Sequence, residues 1–185
     1  MKRSQKNLNL FGEEVPDTEP AMSHWLHRSD SATFEFRRAR AEHLKLIYPR
    51  GYSFLLPPES FYVLEEAKLA FLNGADLAAV MLAQAFIEHI LQIHLEKLDQ
   101  AAVARRGLKA IIEYIRRREP HHRYLMSLVD EVRRFRNPFM HLRDFDDPDC
   151  LSQRVFATQM SPEQILEDEA KRALGVMYEV AVTKL

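Results

Sequence analysis

DLAAVMLAQAFIEHILQIHLEKL, residues 76–98, decides the fold. Leu77, Val80, Met81, Phe86, Ile87, Ile90, Leu91, Ile93, Leu95 and Leu98 cover most of a helical circumference. Gln84, Glu88, Gln92 and Glu96 recur every four positions and leave one narrow polar stripe open to water. A helix this apolar needs neighbours on nearly every side. It predicts the central member of an all-α bundle, or a helix buried by a partner chain, with Asp76 as its N-cap.

Outward from it the helical period persists. Upstream, Pro57-Pro58 lead into a helix over about 59–73, with Phe61, Leu64, Ala67 (or Lys68) and Phe71 on one stripe and Gly74 where a left-handed residue is wanted. Downstream, Gly107 opens a helix with Leu108, Ile111, Ile112 and Ile115 inward and Arg116-Arg117-Arg118 at its end, where cations suit the helix dipole. Pro120 stops it. Another helix starts near His122 and carries Leu125, Leu128, Val129, Val132 and Phe135 at 3–4 spacing. Residues 144–160 read as a loop, and Ser161-Pro162-Glu163-Gln164 as a capping box that opens the last helix. Residues 1–57 read as an N-terminal extension: a polar arm to 22, the anchor Trp25-Leu26, a short strand over 31–36 and a basic helix over 37–47. The expectation is an all-α bundle of four to five helices over 58–185 behind that extension.

Composition narrows the function. With 185 residues, 46% apolar and 29% charged, the chain suits one globular domain with an arm. Cys150 is the single cysteine, which excludes an intrachain disulfide and a cysteine-based zinc cluster. No phosphate-cradling glycine loop, GxSxG or HExxH is present. No run resembles a membrane span or a signal-peptide core, so a cytoplasmic protein without membrane contact is expected. The net charge of −1 hides an asymmetry: residues 101–145 hold eleven basic side chains, ten of them Arg, against five acidic ones. Arginine forks suit phosphate oxygens, but the same pattern also describes a solvated face tied by salt bridges to the acidic segments.

The chemistry-bearing string is Arg136-Asn137-Pro138-Phe139-Met140-His141. Pro138 leaves two geometries open: Asn137 caps a new turn, or the helix continues with a kink. On a straight helix, Arg136 and His141 would stand roughly 140° apart. A break would bring guanidinium, amide and imidazole to one edge. The bland alternative makes Arg136 half of an ion pair, Asn137 a cap and His141 a surface histidine.

The string, its Asn included, resembles the Arg-x4-His signature of the HEPN superfamily, and the resemblance covers about residues 58–185. The setting is similar too: a helix pair hinged at Asn73-Gly74, an apolar second helix carrying Glu88, and a last helix with Leu166-Glu167-Asp168-Glu169-Ala170 near its start. The resemblance implies a HEPN-like bundle forming a homodimer whose two Arg/His sets share one cleft. It also implies a metal-independent endoribonuclease of prokaryotic defence or toxin–antitoxin systems, with RNA as substrate and an antitoxin or defence protein as partner. Arg136, Asn137 and His141 would be catalytic, Glu88 auxiliary, and Arg133, Arg134 and Arg143 RNA-binding. The chemistry agrees, since imidazole suits acid–base work and guanidinium holds phosphate oxygens. One departure stands out: Arg143 occupies the position of the tyrosine that nucleotidyltransferase antitoxins modify in some members.

The competing expectation is a non-catalytic module of the same shape that binds RNA, nucleotide or a protein. No cofactor and no metal are expected. His24/His27 and His89/His94 lack further ligands, and His121-His122 reads as a helix start. Cys150 lies among acidic residues that disfavour a thiolate.

Overall fold

The computed structural model describes residues 18–51 and 56–183, and every regular element among them is helical. They are α1 (Thr18–Ile47), α2 (Pro58–Leu72), α3 (Asp76–Lys97), α4 (Ala101–Ala104), α5 (Leu108–Arg118), a 3₁₀ turn (Pro120–His122), α6 (Arg123–Met140), α7 (Leu151–Thr158) and α8 (Pro162–Val182). The expected all-α bundle is observed. The chain divides into two compact units, residues 1–39 and 40–185.

In the first unit, the expected strand over 31–36 is helical and lies inside α1. The Phe34 and Phe36 rings are both exposed, so no buried face rewards a β register. Thr33, the β-branched residue there, sends its hydroxyl back to the Ser29 carbonyl oxygen at 2.9 Å, which suits a helix interior. The apolar knot Leu8-Leu10-Phe11 lies outside the described residues.

The second unit begins at Arg40, so the bundle takes in the last turns of α1 rather than starting at 58. Leu44 joins the core, and the Arg40 guanidinium is buried. Arg40 Nη1 donates to the Phe71 carbonyl oxygen at 2.9 Å, and Nη2 donates to Asp76 Oδ2 at 2.9 Å. Glu167 Oε2 of α8 lies 3.4 Å away, and the guanidinium sits 4.6 Å from the Phe71 ring centroid. Arg40 thus caps the end of α2 and pairs with the acid at the start of α3. Asp76 is therefore not the N-cap, a position taken by Ala75; its carboxylate is committed to Arg40.

α3 is the central helix and packs on α2, α8, α6, α4 and α5. Phe86, Ile87, Leu91 and Leu95 are completely buried. By length and hydropathy α3 could cross a membrane, but here its apolar surface is spent on neighbouring helices. Its polar stripe is not the open one expected. Gln84 is buried at 5% exposure, and Gln92 Nε2 donates to the Ala104 carbonyl oxygen at 3.3 Å. A helix wrapped on this many sides has no face wholly left to solvent.

Two turns obey their signals. Gly74 ends α2 with φ +77°, and Ser161 with Gln164 forms the reciprocal capping box at α8. The supposed loop over 144–160 contains α7, which adds no side chain to the apolar core and turns the Arg154 guanidinium inward. Periodicity had no apolar stripe to detect there.

Candidate active site

α6 runs through Asn137-Pro138 without a stop and ends at Met140. His141 is the first extended residue, φ −136° and ψ 132°, and its backbone N–H donates to the Asn137 carbonyl oxygen at 3.0 Å. The continuous helix is thus the geometry adopted, and Asn137 caps nothing. Pro138 has no N–H to offer the Arg134 carbonyl, so the ladder lacks one rung inside the motif.

Asn137 is buried. With the amide turned so that both of its ends meet complementary groups, Nδ2 donates to the Arg133 carbonyl oxygen at 3.2 Å and Oδ1 accepts from Arg133 Nη1 at 2.8 Å. Arg133 Nε in turn donates to Asp130 Oδ1 at 2.8 Å, and Asp130 Oδ2 lies 3.8 Å from Arg116 Nη2 of α5. The result is a polar ladder, Arg116–Asp130–Arg133–Asn137, on one face of α6 and tied to α5. Spacings of three and four place its α6 members above one another. Arg136 precedes Asn137 by about 100° of helix and so stands off this ladder.

The neighbouring arginines are committed to carboxylates. Arg134 holds Asp149 through Nε at 3.1 Å, and Arg143 Nη1 lies 3.6 Å from Asp147 Oδ2. The Arg134 hydrogen bond lowers the Asp149 carboxyl below its ordinary range, and Asp149 raises the Arg134 guanidinium in return. Arg123 Nε caps α5 by donating to the Arg116 carbonyl oxygen at 3.2 Å. The three arginines expected on phosphate therefore each face an aspartate, and the salt-bridge account of the basic segment describes them. Arg136 differs. Among the described residues it has no hydrogen bond and no ion pair, and it is half-buried.

His141 is exposed, and no side-chain hydrogen bond or ion pair joins Arg136, Asn137 and His141 within one chain among the described residues. Glu88 lies half-buried on α3, which packs against α6, and is likewise without a partner among the described residues. Beside the motif, Phe135 lines a cleft of about 450 Å³ with Arg154, Glu169, Lys171 and Arg172. Arg154 forms an ion pair with buried Glu169, and its own burial pulls the guanidinium pKa down.

Sequence reasoning missed a second cluster. His89 and His94 do not act together: His89 Nδ1 bonds Ser60 Oγ at 2.8 Å, while His94 Nε2 meets Glu119 Oε1 at 2.9 Å. His122 Nε2 lies 3.8 Å from the other oxygen of Glu119, and its ring centroid is 4.0 Å from that of His121. Burial, then the His121 ring, lowers the His122 pKa despite the pull of Glu119. The string Glu119-Pro120-His121-His122 was visible in the chain; its partner on α3, 25 residues away, was not.

Compared with family models, with curated proteins and with solved structures, the chain matches none.

Proposed function

We propose that the chain is one subunit of a HEPN-type, metal-independent endoribonuclease in a prokaryotic defence or toxin–antitoxin setting. One observation carries this. Of the arginines on α6 and in the loop after it, only Arg136 is left without a partner among the described residues, while Arg123, Arg133, Arg134 and Arg143 are all engaged. An arginine kept free at the motif position, one turn and a half from an exposed imidazole, suits an external phosphate.

His141 would take the proton from the ribose 2′-OH, and the oxygen would attack the adjacent phosphorus. Arg136 would hold the two non-bridging oxygens as negative charge builds there. The leaving 5′-oxygen takes up a proton, and the products are a 2′,3′-cyclic phosphate and a 5′-OH end. Asn137 acts as a positioning residue that fixes Arg133 and the last turns of α6. A single Arg and His per chain call for two copies. Met140, Leu142 and Phe145 flank His141 with large exposed apolar surfaces that a second copy would cover.

The test is RNA cleavage by the full chain with and without EDTA, alongside His141→Ala. EDTA-resistant cutting with cyclic-phosphate ends, abolished in the variant, is expected; magnesium dependence or full activity of His141→Ala refutes the mechanism. The second reading, a dimerisation module without catalysis, draws support from the aspartates that already neutralise Arg133, Arg134 and Arg143. It predicts a dimer that cuts no RNA and whose RNA affinity barely responds to salt.

A further inference from the structure

We propose that Glu119, His121 and His122 form a binding site for Zn²⁺ in which His94 is the positioning residue that holds the Glu119 carboxylate. This site is independent of the cleavage proposal and shares no residue with it.

The geometry is local and largely built. Glu119 ends α5, Pro120 fixes the next φ, and the His122 N–H donates to the Glu119 carbonyl oxygen at 2.9 Å to close the 3₁₀ turn. Three donor side chains thus come from four consecutive residues on a backbone that is already tied. Their ligand atoms all lie within 4.8 Å of one another. Zinc bonds of about 2.0–2.1 Å in a tetrahedron put ligand atoms about 3.3 Å apart. His121 is exposed and free to rotate toward that spacing while His94 keeps its hold on Glu119 Oε1.

His94 occupies Glu119 Oε1 at 2.9 Å and leaves Oε2 turned toward His122 at 3.8 Å. A histidine holding one carboxylate oxygen while the other binds metal is an ordinary outer-sphere arrangement, here with the usual roles of the two residues exchanged. His122 is buried, and its ring is held beside the Glu119 carboxylate. Two imidazoles and one carboxylate favour zinc over calcium or magnesium, which demand mostly oxygen donors. The fourth position falls to water on the exposed side of His121.

The experiment is calorimetric titration of the full chain, free of any histidine tag, with ZnCl₂, and with CoCl₂ followed by visible absorption. One ion per chain and a tetrahedral Co²⁺ spectrum are expected. Glu119→Gln and His121→Ala should each weaken binding by about 100-fold, and His94→Gln by about 10-fold. His24→Ala/His27→Ala should leave the titration unchanged. His121 is exposed, so its variant keeps its fold, and its circular dichroism should match wild type. No Zn²⁺ binding by wild-type protein, or binding that survives both Glu119→Gln and His121→Ala, overturns the site.

Discussion

Arg40 and Arg136 sit in the same bundle and are treated in opposite ways. Arg40 is buried, with a backbone carbonyl, one carboxylate in bidentate contact and a second carboxylate within 3.4 Å. Arg136 is half-buried and has none of these among the described residues. A buried guanidinium without partners would be prohibitively costly, so full pairing marks Arg40 as part of the fold. A partly exposed one can wait for an anion at little cost to the free protein. The difference separates an arginine that holds helices together from one that is available to a ligand.

The largest effect that would break this comparison is on activity. Arg136→Ala and His141→Ala should each lower RNA cleavage by about 10²–10⁴-fold while leaving urea denaturation almost unmoved. A large stability loss in Arg136→Ala would show that it, too, serves the fold. Next comes Arg40→Ala, expected to cost about 3–5 kcal/mol, because Asp76 is left buried without its cation. Combining it with Asp76→Leu should recover a large part of that loss in the same denaturation assay; no recovery would mean the contact with the Phe71 carbonyl matters more.

A smaller effect sharpens the Arg136 side. Pro138→Ala restores an N–H for the Arg134 carbonyl and should raise stability by about 1–3 kcal/mol. If the missing rung shapes the motif, cleavage should fall even as the melting temperature rises. The smallest effect belongs to the Arg40 side. His43 is depressed by burial and then by Lys171, against the pull of Glu167. The unfolded chain therefore takes up that proton more readily than the folded one. Stability should be full above the ordinary histidine value of about 6.5 and decline as pH falls through the lowered folded value. His43→Gln should flatten that decline in chemical denaturation measured between pH 7.5 and 5.

How much of this was legible depends on where the partners lie in the chain. The helix over 76–98, the stripes of α5 and α6, the stop at Gly74 and the Ser161–Gln164 box all follow from residues within a turn or two of one another, whereas α2 buries Ser60 with Leu64, Ala67 and Phe71 and leaves the expected Phe61 exposed. α7 escaped because it is short and adds nothing to the apolar core, and 31–36 is helical because neither Phe34 nor Phe36 is buried, so nothing rewards a strand. The motif string was visible, and so were the ambiguities of Pro138. The commitments of Arg134 to Asp149 and of His94 to Glu119 span 15 and 25 residues and have no local signal.

By itself, the sequence determined that this chain is helical, where most helices start and stop, and which residues offer guanidinium and imidazole near one helix end. Period, capping and proline chemistry act over a few residues, so the chain alone carries them. Only the tertiary structure decided that α6 passes unbroken through Asn137-Pro138, that Asn137 serves Arg133, and that Arg136, among the described residues, is the one arginine of α6 and the following loop left unpaired. Those outcomes depend on which carboxylates the packing of other helices and loops delivers to each arginine. Ion pairing and burial are set by distance in space, and distance in space is what a linear pattern does not encode.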